Sequence, residues 1–168
     1  MFKGVYTALV TPFRGKDVDY DSLKGLIEHN IKGGVAGLVP CGTTGETQAL
    51  SDQEYASVVR FVVKEASSRV KIIAGAGSNS TKKAVENAGI VKEAGADAAL
   101  VVTPYYNKPT QEGLFRHYEA INGEIDIPII IYNVPGRTGV NVLPGTLERI
   151  SSLDNVKGVK EASGDLLQ

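Results

Sequence analysis

Six apolar runs, each bounded by glycine or proline, recur along the chain at residues 4–13, 37–42, 70–77, 98–106, 127–135 and 156–162. Continuous Val, Ile and Leu runs of this kind are expected of strands buried on both faces. The segments between them keep a helical spacing, as in Leu23, Leu26, Ile27 and Ile31, or Val58, Val59, Val62 and Val63. They also carry helix punctuation. Ser51-x-x-Glu54 reads as a capping box, Gly33 and Gly95 as C-terminal stops, and Pro144 as a first-turn proline. The order is β-α throughout, which demands a parallel sheet with right-handed crossovers, either open and doubly wound or rolled into a barrel.

The positions of the unusual residues favour the barrel. Thr11, Thr43, Gly75, Thr103, Tyr132 and Lys160 each fall at the C-terminal end of a run, about one βα unit apart. That end is the face on which barrel enzymes assemble their sites. The remaining features narrow the class. With 42% hydrophobic and 22% charged residues and a net charge of -1, the 168-residue chain can bury a core and shows no bias toward nucleic acid. Its one cysteine, Cys41, cannot form an internal disulfide, and Met1-Phe2-Lys3-Gly4 leads into a strand-like run without a signal peptide, so a cytoplasmic location is expected. The apolar runs fall well short of the roughly 20 residues a membrane helix needs.

Four motifs carry chemistry. Gly42-Thr43-Thr44-Gly45-Glu46 follows the second run; its glycines let backbone N–H groups approach a small anion and its hydroxyls can relay a proton, although taken alone it is better explained as a tight capped turn, since Gly/Thr-rich βα loops are common. It does not match the phosphate-cradling G-x-x-x-x-G-K-[ST] pattern. Thr103-Pro104-Tyr105-Tyr106 closes the fourth run, with adjacent tyrosines expected on opposite sides, one toward the site and one toward a neighbouring surface. Tyr132-Asn133-Val134-Pro135-Gly136-Arg137-Thr138-Gly139 puts a potential acid or base at a strand mouth and a planar cation in the loop beyond it. Val159-Lys160-Glu161-Ala162 ends an apolar strand in a lysine, where poor solvation would favour the amine nucleophile over the ammonium, against the bland alternative of a lysine snorkelling at the sheet edge. Lys157, at the start of that strand, is the less apt candidate.

In this order and at these intervals, the four motifs resemble the dihydrodipicolinate synthase branch of the N-acetylneuraminate lyase family of pyruvate-dependent class I aldolases. The resemblance covers all 168 residues. It implies that Lys160 forms an imine with pyruvate and that Tyr132 shuttles protons. Thr43 would link Tyr132 to Tyr106, the latter lent across a dimer interface. Thr44 and the Gly42 backbone would hold the pyruvate carboxylate, and Arg137 the carboxylate of aspartate semialdehyde. The product would be 4-hydroxy-tetrahydrodipicolinate, on the way to diaminopimelate and lysine. No metal or organic cofactor is implied, and His29 and His117 read as surface residues. N-acetylneuraminate lyase and keto-sugar-acid aldolases share the lysine and tyrosine; Arg137 separates them, because a polyhydroxylated aldehyde needs hydroxyl-pairing groups at that place. Relatives inhibited by lysine carry histidines and a glutamate where this chain has Asp52, Tyr55 and Lys83, which argues against such inhibition although Asn79 and Tyr105 remain.

A closed barrel takes eight strands and typically about 250 residues. The expectation for residues 1–168 is therefore the first six βα units of a (β/α)8 barrel, lacking strands 7 and 8 and a C-terminal helical region. Such a chain would be a fragment, one part of a split enzyme completed by a second chain, or an inactive self-associating piece. Its open sheet edges favour association, as a homo-oligomer or with a complementing chain.

Overall fold

The structure, a computed structural model, describes residues 2–168. Six strands form one parallel sheet: β1 (Tyr6–Ala8), β4 (Gly37–Val39), β5 (Lys71–Gly75), β6 (Ala98–Val102), β7 (Ile129–Asn133) and β8 (Val156–Glu161), hydrogen-bonded in that order. Helices α1 (Tyr20–Lys32), α2 (Asp52–Ala66), α3 (Thr81–Glu93), α4 (Gln111–Glu124) and α6 (Pro144–Ser151) supply the crossovers. The expected half-barrel is therefore present. No helix among the described residues is long and apolar enough to cross a membrane.

The strand period of two sorts side chains to two faces. Leu38, Ile72, Ala74, Ala99, Val101, Ile129 and Ile131 point outward into the main core, where they meet Leu23, Ile27, Val59, Leu114 and Ile121 of the helices. Val39, Ile73, Leu100 and Tyr132 point the other way and form a separate inner cluster. Burying each Ile, Leu or Val of the first group contributes about 1.5–3 kcal/mol. Two buried helical tyrosines anchor helices to strand ends: the Tyr55 hydroxyl donates to the Gly75 carbonyl at 2.8 Å and the Tyr118 hydroxyl to Val101 at 3.0 Å. Ser51 and Glu54 form the reciprocal capping box.

Three expectations change. The first run, 4–13, is a strand only at Tyr6–Ala8; beyond Pro12, which cannot donate to a ladder, a short antiparallel hairpin follows, β2 (Phe13–Arg14) with β3 (Asp17–Val18). Gly33 ends α1 with helical backbone angles, and it is Gly34, at φ +80°, that turns left-handed. His29 is exposed as expected, but His117 is buried, at 3% exposure. Leu114, His117, Tyr118 and Ile121 are spaced i, i+3, i+4, i+7, so His117 belongs to the core stripe of α4. Its Nδ1 lies 2.9 Å from the Thr81 hydroxyl.

Burial pushes the His117 imidazole down from its ordinary 6.5 to about 4. The folded state therefore holds it neutral while the unfolded chain binds a proton, so stability is complete above about pH 6.5 and is lost as pH falls toward about 4. Urea unfolding should show a loss of up to about 3 kcal/mol from this group across that window. In His117→Asn, which carries no titrating ring, this component should vanish, so the stability gap between the two proteins should narrow on acidification. A gap that stays constant with pH would contradict the assignment.

Candidate active site

The site is built where β7 and β8 end. Tyr132 and Lys160 are direct partners in the β7–β8 register, so both side chains stand on the inner face at the same level. Lys160 Nζ lies 4.2 Å from the centre of the Tyr132 ring, over its face. Tyr132 is buried, at 7% exposure. Lys160 is exposed among the described residues, where β8 has a strand on one side only. Lys157 is the extra residue at a register irregularity beside Ile129 and Ile130, and its Nζ donates to the Asp154 carbonyl, away from the site.

The Gly-Thr-Thr loop leaves β4 through Cys41, whose backbone is left-handed at φ 52°. Residues Thr43–Gly45 make one turn of 3-10 helix, and the Thr11 hydroxyl pins it by donating to the Gly45 carbonyl at 2.8 Å. The loop sits against β5 so closely that a Cβ on Gly75 would lie 1.9 Å from the Cys41 carbonyl oxygen, and the Gly75 amide donates to Pro40 at 2.9 Å. Only glycine permits this approach. The Cys41 thiol is 1% exposed and burial pushes it up to about 12, so it is no nucleophile. The loop after β7 forms a single helical turn, α5 (Pro135–Thr138), ended by Gly139 at φ +74°. That turn carries Arg137, which is exposed and makes no ion pair among the described residues.

A pocket of about 180 Å³ gathers Gly42, Thr43, Thr44, Tyr132, Arg137 and Lys160 over an apolar floor of Ala8, Val39 and Leu100. Six of the seven expected site residues thus share one cavity. Tyr106 does not reach it. It is 88% exposed, with a left-handed backbone at φ 72°, and borders a larger adjoining cleft of about 870 Å³ together with Thr43, Tyr132 and Arg137. No hydrogen bond among the described residues joins Thr43, Tyr132 and Tyr106, so the expected relay is not closed within one chain. Tyr105 borders the same cleft, contrary to the expectation of opposite sides: both tyrosines lie past the end of β6, where strand alternation no longer applies. Thr103 is fully buried and outside the pocket. Asp52 and Lys83 pair with each other at 2.7 Å, and Tyr55 is buried.

Two residues of the site went unnoticed in the sequence. Asn133, at 1% exposure, donates through Nδ2 to the Glu161 carboxylate at 2.9 Å and to Asn141 Oδ1 at 2.8 Å, and accepts at Oδ1 from the Val142 amide at 3.1 Å. Burial lifts the Glu161 carboxyl, but hydrogen bonds from Asn133, Ser163 and Gln168 outweigh this and hold it below the usual carboxylate range. The available signal was alternation: each directly follows a site residue, so the two face each other across the same strand pair on its outer side.

Parallel βα units whose strand ends converge on one polar pocket define a barrel-type enzyme. Residues 1–168 match the model of the Dihydrodipicolinate synthetase family from end to end, and the chain belongs to that family, whose members are lyases. It is 54% identical over 168 residues to a 4-hydroxy-tetrahydrodipicolinate synthase of Nitratidesulfovibrio vulgaris, covering 99% of this chain and 58% of that one. Its structure is similar to crystal structures of dihydrodipicolinate synthase from Thermotoga maritima (TM-score 0.97, 46% identity, 100% of this chain and 57% of that one). The enzyme from Acinetobacter baumannii, described as complexed with pyruvate, is equally similar (TM-score 0.97, 46% identity, 99% and 58%). The chain thus spans a little over half the length of these relatives.

Gly75→Ala should lower the unfolding free energy by at least about 2 kcal/mol, because the clash is with backbone that cannot rotate away. Gly123→Ala, on α4 with open space where the methyl would go, is the control and should raise it by about 0.5–1 kcal/mol. Equal effects of the two in urea unfolding would mean that the close approach of β5 and the loop is not a constraint.

Proposed function

We propose that this protein condenses pyruvate with aspartate semialdehyde to 4-hydroxy-tetrahydrodipicolinate, in diaminopimelate and lysine biosynthesis, through an imine at Lys160. The single observation that carries the reading is the pocket in which Lys160 and Tyr132 lie side by side, with Thr43, Thr44 and Arg137 on its rim. Family membership and the pyruvate complex of the Acinetobacter baumannii relative support the first substrate. Because the chain spans 58% of such relatives, the whole protein's partners enter the proposal too: further copies of this chain, a second chain supplying strands, or both.

In the proposed sequence the free amine of Lys160 adds to the C2 carbonyl of pyruvate. Tyr132 carries protons to and from the resulting hydroxyl, which leaves as water, and an iminium remains. The iminium draws electrons from C3, a proton departs, and the enamine attacks the aldehyde carbon of the second substrate. The semialdehyde's amine then displaces Lys160 on ring closure. The electron sink is the imine itself, so the chemistry asks for no metal or organic cofactor. Thr44 and the amides of the Gly42 loop hold the pyruvate carboxylate. Arg137 offers its planar fork to the second carboxylate. That free cation favours this reading over N-acetylneuraminate lyase or keto-sugar-acid aldolase chemistry, whose substrates present hydroxyls there.

Borohydride reduction in the presence of pyruvate should add one pyruvyl unit to the protein, mapped by peptide mass spectrometry to Lys160 and lost in Lys160→Ala. Label on a different lysine would overturn the assignment of the nucleophile. Arg137→Ala should raise the KM for aspartate semialdehyde about 10- to 100-fold, the worth of a charge-assisted pair, while the rate of pyruvate trapping stays within about twofold. An equal fall in both would make the loop structural and would reopen the choice of second substrate, which turnover of N-acetylneuraminate would then decide.

A further inference from the structure

Lys160 projects from a strand whose start is anchored, the Ile129 amide donating to the Asn155 carbonyl at 2.7 Å, but whose register shifts just beyond that point. Ile129 pairs with Val156 but Ile130 with Gly158, so an extra residue, Lys157, is accommodated before the ladder resumes. Side chains of β8 beyond this point are exposed among the described residues. Register still matters. A slip of one residue would turn Lys160 to the outer face and bring Val159 or Glu161 beside Tyr132.

The ladder is instead clipped at its far end, on the face opposite the site. Asn133 and Glu161 are register partners, one residue after Tyr132 and Lys160. Asn133 Nδ2 donates to both Glu161 oxygens, at 3.1 and 2.9 Å, and the Asn133 carbonyl accepts from the Ala162 amide at 2.8 Å. The clip is itself held. Asn133 Oδ1 accepts from Val142, Asn133 Nδ2 also reaches Asn141, and the Ser163 amide donates to Glu161 at 2.7 Å. Asn133 is almost fully buried, so losing Glu161 would leave its Nδ2 group with only Asn141 to accept from it in a desolvated place, and the clip is worth more than a contact between two exposed groups.

We propose that Asn133 and Glu161 are positioning residues for the lysine and tyrosine, fixing the register of β8 on β7 from the outer face so that Lys160 stands against Tyr132 on the inner one. That these two are the reacting groups rests on the function proposed above; the register lock itself does not.

The test exchanges donor and acceptor. Asn133→Asp keeps the shape and the Val142 bond but sets two carboxylates against each other; Glu161→Gln in the same chain restores a donor facing an acceptor. Two readouts are taken on the 168-residue protein. The first needs no chemistry: the nuclear Overhauser effect between the Lys160 ε-methylene and the Tyr132 ring protons should be present in the unsubstituted protein, lost in Asn133→Asp and regained in the double variant. The second is the borohydride-trapped yield at Lys160, which should fall about tenfold in Asn133→Asp and recover in the double variant, an interaction that a double-mutant cycle isolates. Persistence of the Overhauser contact in Asn133→Asp would overturn the inference, as would its absence from the unsubstituted protein or failure of the swap to restore it. If the contacts behave as expected while no variant, nor the unsubstituted chain, traps pyruvate, the register lock stands and the pyruvate reading falls.

Discussion

The meeting of Lys160 with Tyr132 depends on the parallel ladder between β7 and β8. A parallel pair has no hairpin to set its alignment, so the partners are joined through a helical crossover and the register must come from side chains and backbone bonds along the ladder itself. Here the alignment puts Tyr132 beside Lys160 on one face and Asn133 beside Glu161 on the other. The period of two then divides the labour between faces: inward residues make the pocket, while outward ones either enter the helix-packed core, as Ile129 and Ile131 do, or tie the strand ends together.

The second constraint is the close approach of the Gly42 loop to β5. Gly75 lets the Cys41 carbonyl occupy space that any Cβ would fill, and the buried Tyr55 hydroxyl donates to the Gly75 carbonyl from α2. The threonine turn is thereby carried on rigid backbone, with Thr11 pinning its far side. Small polar groups on such a frame are held in place before any ligand arrives.

Charge is distributed in keeping with that arrangement. Arg69, Arg116 and Arg149 are each engaged with carboxylates on the outer surface, where such pairs contribute little to stability. Arg137, on the turn above the pocket, has no such partner among the described residues. The small pocket it lines also holds Lys160 and, among the described residues, no carboxylate.

The βα alternation, the half-barrel and the capping box at Ser51 were legible in the chain, because run length, spacing and local motifs are set by nearest neighbours in sequence, and Lys160, Tyr132, Thr43, Thr44 and Arg137, picked out by their motifs, line one pocket. His117 was misread as a surface residue, although its place on the stripe of Leu114, Tyr118 and Ile121 already pointed to the core. What only the tertiary structure decided were relations between distant segments. They include the openness around Lys160, which depends on which strands flank β8, the position of Tyr106 outside the small pocket, the left-handed turn that brings Tyr105 and Tyr106 to one cleft, and the pairing of Asn133 with Glu161. A strand's own residues state which faces exist; its neighbour's register states which residues meet, and that is a property of two segments joined only in space.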